Sequence, residues 1–306
     1  MNATTPGTLS IRAHRRIFPL TSMSVLAAIV GFATLAVLAG CETEDEPAPP
    51  PDYRSTYYRI DRIDLPQTTE EAFDASLDLD GDGSTDNAGG NALVVLQSVI
   101  ETAGERLPLT VQAGLDGGRV DWIVEIGRDT VVPGRAAAAL HAGADSDQDG
   151  VYEIADGLAL AGHGSEDGDA VRTGAGRGRV PASFLADVIG DWPVTWVNGI
   201  ALAVSLRQPS TDEVEGLIGF ATRGDFGPVV AGPLAELMTE RLQAGTLVLA
   251  ADMDADHDGI ITEEEFLDSP LSQALLGPDV DLLDDDGSVD SMSAGFRVHA
   301  SAVDVE

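Results

Sequence analysis

Between residues 131 and 228 the chain falls into short apolar alternations punctuated by glycine: AAAALHAG, GLALAGHG, NGIALAVSL and EVEGLIGFATR. A period of two sends alternate side chains to opposite faces, and the glycines between segments supply turns. Together they predict an antiparallel β region. Three outlying stretches carry a strand signal as well: 57–65, 120–126, and a closing strand over 292–305.

Helical spacing brackets this region. Leu93, Leu96 and Ile100 share one face of a helix expected over 91–103, and Gly104 suits its end. Thr68 with Glu71 makes a capping-box pattern ahead of a short helix. Another short helix is expected near 109–115, and a longer one over 228–249 with Pro233 near its start and Gly245 as an interruption. Ser269-Pro270 restarts a helix, LSQALL, with serine as cap and proline in the first turn. The predicted fold class is therefore α+β. It has a glycine-rich antiparallel β body, flanking helices, and one helix-loop-helix segment over about 245–276. Residues 57–306 read as a single domain, and a hydrophobic content of 43% is enough to build its core.

Residues 252–266, DMDADHDGIITEEEF, match D-x-[DN]-x-[DN]-G-x5-E without a mismatch and resemble the EF-hand calcium loop. Calcium is a hard cation that takes six to eight oxygens, and such a loop winds so that alternate residues point inward. The resemblance implies Asp254, Asp256 and Asp258 as the first three ligands and Gly259 as the sharp turn. It implies the Ile260 carbonyl, then Thr262, then Glu265 binding through both oxygens. Ile261 would anchor the loop in apolar surroundings. His257 sits at a position that binds nothing. Thr262-x-x-Glu265 is also a capping box, and both roles fit one loop. Pro270 cuts the exiting helix short, and no second complete loop exists to pair with this one. Sensor EF-hands work as opening helix pairs, so the reading is a structural calcium clip.

Two partial copies accompany it. Asp78, Asp80, Asp82, Gly83 and Asp86 resemble the DxDxDG loops of dockerin-like and thrombospondin-repeat calcium sites, with Gly89 where the last glutamate would stand. Asp145, Asp147, Asp149 and Gly150 are followed by Glu153 and Asp156 at later ligand positions. The alternative for each is an acidic turn, because Asp and Gly are common turn formers. Residues 284–287, DDDG, lack the alternation and read as a hairpin turn.

The first 41 residues carry no acid. They hold Arg12, Arg15 and Arg16, an apolar run, and then Leu38-Ala39-Gly40-Cys41. This basic-then-apolar pattern reads as an export signal. Its end resembles the lipobox of bacterial lipoproteins, which implies cleavage of residues 1–40 and lipidation of Cys41. The alternative is an uncleaved signal anchor. Cys41 is the only cysteine, so no intramolecular disulfide can form. Residues 41–56, acidic and proline-rich, read as a tether. The formal charge of −35 disfavours nucleic acid and anionic membrane surfaces as partners and favours calcium. A membrane contact through the Cys41 lipid is the one membrane partner expected. All 17 basic residues are arginine, which excludes lysine Schiff-base chemistry and the P-loop lysine.

Catalytic signatures are thin. His141, His163, His257 and His299 form no H-x-H or H-E-x-x-H pair. Ser165 in GHGSEDGD has no nucleophile-elbow context and reads as part of a glycine-rich turn. RTGAGRGRV at 172–180 is at most a weak anion contact. The stretches LDLDGDGSTDNAGGNAL and PLSQALLGPDVDL also resemble a group of uncharacterised lipoproteins from GC-rich Gram-negative bacteria, which implies no activity. The expectation is a lipid-anchored envelope protein with structural calcium and no catalysis. Alternatives are an extracytoplasmic hydrolase, or an adhesin-like module binding protein or glycan through an exposed patch near Trp192 and Trp196.

Overall fold

The computed structural model describes residues 50–306 apart from 102–106, 119–120, 168–169, 175–177, 182–195, 224–225, 247 and 283–286. Its strands are β1 (Tyr53–Asp64), β2 (Trp122–Asp129), β3 (Arg135–Ala144), β4 (Val151–Asp167), β5 (Ala170–Gly174), β6 (Gly178–Pro181), β7 (Trp196–Ser210), β8 (Glu213–Arg223) and β9 (Ser291–Val305). Along the sheet the order is β3-β2-β1-β9-β8-β7-β5-β4, and β3 pairs again with β4. A ring of eight antiparallel strands is thereby closed. The ninth strand, β6, lies between β4 and β7 where β5 has ended. Helices are α1 (Thr69–Asp74), α2 (Ala88–Glu101), α3 (Leu107–Asp116), α4 (Phe226–Gln243), α5 (Glu263–Asp268) and α6 (Pro270–Leu276).

This corrects the α+β expectation. The described chain is mostly β, a closed barrel with short helices, and it holds no EF-hand helix-loop-helix. The local reason is visible on both sides of residues 254–262. Gly245, with φ of 66°, ends α4, and a 3-10 turn over Val248–Asp252 leads into the loop in place of a helix. On the far side α5 has six residues and stops at Ser269, whose extended backbone (φ −67°, ψ 136°) precedes Pro270. The barrel itself depends on pairings between distant strands, and local periodicity carries no information about those.

Alternation inside the ring fills it. Tyr58 and Ile60 of β1, Val124 and Ile126 of β2 and Ala138 and Leu140 of β3 belong to one buried cluster. Eight strands enclose an interior that side chains can fill. Leu93 and Leu96 of α2 and Leu237 of α4 pack on that cluster. Residues 162–167 of the stretch GHGSEDGD belong to β4 and are extended, not a turn. Gly164 is required there, because a Cβ would lie 1.9 Å from the Arg172 carbonyl oxygen.

Two satellite clusters tie acidic loops to this body. Leu79 and Val280, with Leu77 and Leu282, pack over Ala201, Ala203 and Ala221 of β7 and β8. Met253, Ile261 and Phe266 pack on Val230, Leu234 and Met238 of α4. Each large apolar side chain buried this way contributes about 1.5–3 kcal/mol. The third acidic loop sits at the tip of the β3–β4 hairpin. There Val151 and Tyr152 pair in parallel with Asp304 and Val305, and the Glu306 N–H donates to the Tyr152 carbonyl. Among the described residues no helix is long and apolar enough to cross a membrane.

Candidate metal centres

Each of the three acidic loops gathers three carboxylates whose oxygens lie within 4.8 Å of one another: Asp78, Asp80 and Asp86; Asp145, Asp147 and Asp149; Asp254, Asp256 and Asp258. The loops differ in setting: one joins two helices, one turns a hairpin, one leads from a 3-10 turn into a helix. Their backbones nevertheless agree. The fourth residue of each has positive φ: Gly81 at 84°, Gln148 at 61°, His257 at 60°. So does the sixth: Gly83 at 89°, Gly150 at 87°, Gly259 at 86°.

Side chains fix that winding. The first aspartate accepts the N–H of the sixth residue in every loop: Gly83 to Asp78 at 3.1 Å, Gly150 to Asp145 at 3.1 Å, Gly259 to Asp254 at 3.0 Å. The fifth accepts the N–H of the seventh: Ser84 to Asp82, Val151 to Asp149, Ile260 to Asp258. Left-handed φ at Gln148 and His257 is uncommon for a residue with a side chain. These bonds hold it in place.

The sequence expectation is met unevenly by the geometry. Asp82 is not in the cluster of its own loop; Asp86 takes that place and also accepts the Leu79 N–H. Glu153 is exposed and outside its cluster. Asp156 lies in β4, and its side chain is outside the described residues. Glu265 is not among the gathered carboxylates. One of its oxygens accepts the Ala255 and Asp256 N–H groups at 3.0 and 3.4 Å, and the other accepts the Thr262 N–H and hydroxyl, both at 2.9 Å. It closes the loop as a cap, and the Thr262 N–H lowers its pKa below the usual glutamate value. Ile260 is half exposed and Thr262 is the helix cap. Cys41 and the lipobox, and residues 284–286, lie outside the described residues. Trp192 does too, as does the side chain of Trp196.

Thr239 and Gln243 were not legible as loop residues. Thr239 Oγ1 accepts the Ile261 N–H at 2.8 Å and donates to the Ile261 carbonyl at 3.3 Å. Gln243 donates to the Gly259 carbonyl at 3.0 Å. The loop's exposed peptide edge is thus satisfied by α4. No sequence signal links residues 22 apart across a helix end.

The electrostatics of the clusters set them apart. Among the described residues none of their aspartates is in a salt bridge, although Arg59, Arg62, Arg128 and Arg135 all bind carboxylates elsewhere. Asp86 shows the consequence. Burial, and the charges of Asp80, Asp279 and Asp82, push its pKa up to about 6 against the pull of the Leu79 N–H. Clustered carboxylate oxygens without a counter-charge are the donor set a hard divalent cation requires. The residues therefore fit calcium, which when bound would supply positive charge and no chemistry of its own.

On the barrel wall Ser55 and Tyr57 donate to one oxygen of Glu125, and His141 Nε2 lies 2.8 Å from the other. The bond from His141 lowers the Glu125 pKa. The carboxylate stands between serine and imidazole, so the histidine is not bonded to the hydroxyl as a base-activated nucleophile requires. Comparison with family models, with curated proteins and with solved structures finds no match for this chain.

Proposed function

We propose that this protein is a lipid-anchored envelope protein whose β-barrel is clipped by structural calcium at loops 78–86, 145–150 and 254–265. The observation that carries the reading is the shared winding of three loops with unrelated settings, each gathering carboxylates that no arginine balances among the described residues. Asp78, Asp80 and Asp86 would hold one ion, Asp145, Asp147 and Asp149 a second, and Asp254, Asp256 and Asp258 a third. Glu265 would join the third by leaving its cap. The absence of a partner loop, with Thr239 in its place, favours a clip over a sensor. Cys41 would carry the lipid and residues 42–52 the tether, which is shorter than the expected 41–56 because β1 begins at Tyr53.

Extracellular calcium modules bind at about 10⁻⁴ to 10⁻³ M, a range that suits permanent occupation outside the cytoplasm. Melting of the purified protein in chelator and in millimolar calcium tests this. Three sites with dissociation constants of about 10⁻⁴ M would add roughly 4 kcal/mol at about 1 mM calcium. Identical melting curves would remove the calcium reading. Intact mass of the membrane fraction tests the anchor: an unprocessed Met1 terminus would contradict it.

A further inference from the structure

A groove of about 570 Å³ lies between the outer wall of the barrel and two helices. Its wall side is Arg62 and Asp64 of β1 with Arg297 of β9, and its helix side includes Asp74 of α1 and Gln112 of α3. Ile63, Leu65, Pro66 and Pro108 add apolar surface. The size falls within the range of small-ligand sites.

Most charges on the groove are spent on each other. Arg62 grips Asp64 with two contacts of 3.0 and 3.2 Å, and His299 reaches the same carboxylate at 3.3 Å. Glu71 accepts the Gln67 N–H at 2.7 Å as part of the cap of α1. Two groups remain. Arg297 stands across the strand pair from Asp64, yet it has no hydrogen bond or ion pair among the described residues. Asp74 has none either. Both are exposed.

The fold brings these two ends close. A Cβ on Gly295 would lie 2.2 Å from the Ala75 carbonyl oxygen, so the end of α1 presses on β9. Arg297 is two residues along the same face, about 7 Å away. A guanidinium and a carboxylate, neither of them paired among the described residues, therefore line one groove together with apolar surface.

We propose that this groove binds a short zwitterionic peptide, its carboxylate on Arg297 and its amino group on Asp74. A guanidinium takes a carboxylate through two parallel hydrogen bonds. The charge of the whole chain, −35, selects among ligands with a carboxylate. It repels phosphates and polyanions at long range but exerts no net force on a zwitterion.

Calorimetric titration of the whole purified protein with Ala-Ala, N-acetyl-Ala-Ala and Ala-Ala amide tests this. The free dipeptide binds, and each blocked form binds about tenfold more weakly, the effect of losing one charged hydrogen-bonded contact. Arg297→Met binds the dipeptide and its amide alike, and Asp74→Asn binds the dipeptide and its acetylated form alike. Both substitutions are exposed, and melting temperatures equal to wild type show that each variant is folded. No binding of the dipeptide by the folded wild-type protein overturns the proposal. So does equal binding of the blocked forms, or a dipeptide preference that survives in Arg297→Met.

Discussion

The barrel wall and the acidic loops handle negative charge in opposite ways. On the wall, carboxylates meet cations: Asp121 has Arg59 at 2.9 Å, Glu166 has Arg128 at 2.6 Å, and Asp129 has Arg135. In the loops, the gathered aspartates accept backbone N–H groups and face one another. These wall carboxylates are balanced by charge. The loops are complete as backbone and incomplete as charge, which is the condition a cation would resolve. Arginine is the chain's only strong base, and the arginines that bind these wall carboxylates lie in β1, β2 and β3.

That contrast predicts different responses to calcium. The largest effect is on the wall. Arg59 also donates to the Leu115 carbonyl at 2.6 Å, so Arg59→Met loses bonds that join β1 to α3 and strands Asp121. Stability falls by about 2 kcal/mol, equally in calcium and in chelator. A loss seen only in calcium would mean that the wall too is calcium-dependent.

Asp256→Asn should do the reverse. Asp256 is exposed and accepts a single N–H, from Asp258, so the apo protein loses little. In about 1 mM calcium the variant falls short of wild type by about 1.4 kcal/mol, the stabilisation from one site of about 10⁻⁴ M. Equal melting temperatures of variant and wild type in calcium would show that this loop holds no ion.

Thr239→Val leaves the Ile261 N–H without its acceptor. The cost is about 1 kcal/mol in chelator. In a calcium titration its site still binds, because no ligand has been lost. If affinity at this loop fell as far as in Asp256→Asn, the threonine would be part of the ion site and not merely a brace for it.

Asp86→Asn gives the most telling sign. The folded pKa of about 6 lies above the ordinary 3.8, so the ionised native carboxylate opposes folding. That penalty is absent well below pH 3.8, grows as pH rises from there toward about 6, and is constant above it. In chelator the variant is therefore more stable than wild type above this pH and equal to it in acid. In calcium the order inverts, because a ligand is missing. Paired melts across pH check both halves.

The sequence made local geometry legible and left closure hidden. Thr68–Glu71 and Thr262–Glu265 fold as capping boxes or caps, and Ser269-Pro270 opens α6, because each signal involves residues within one turn. The carboxylate triplets at 145–149 and 254–258 gather as their spacing implied, because one winding loop brings alternate residues together. At 78–86 the third member is Asp86 and not Asp82, a choice set by the Leu79 N–H and packing on distant alanines. Glu265 looked like a ligand and sits as a cap, since one sequence encodes both roles. The barrel was missed for a different reason. The β1–β9 and β8–β9 ladders on which it depends join segments whose partners cannot be ranked by periodicity. Glycines such as Gly164 read as turns when their purpose was close strand contact.

The most direct measurement is the number of calcium ions bound, by native mass spectrometry of the whole protein, for wild type and for Asp80→Asn, Asp147→Asn and Asp256→Asn. If each loop holds an ion, wild type binds three, and each variant binds one fewer with the other two unaffected. A wild-type protein that binds none, or one whose count is unchanged in all three variants, would contradict the claim that these loops are built around a cation.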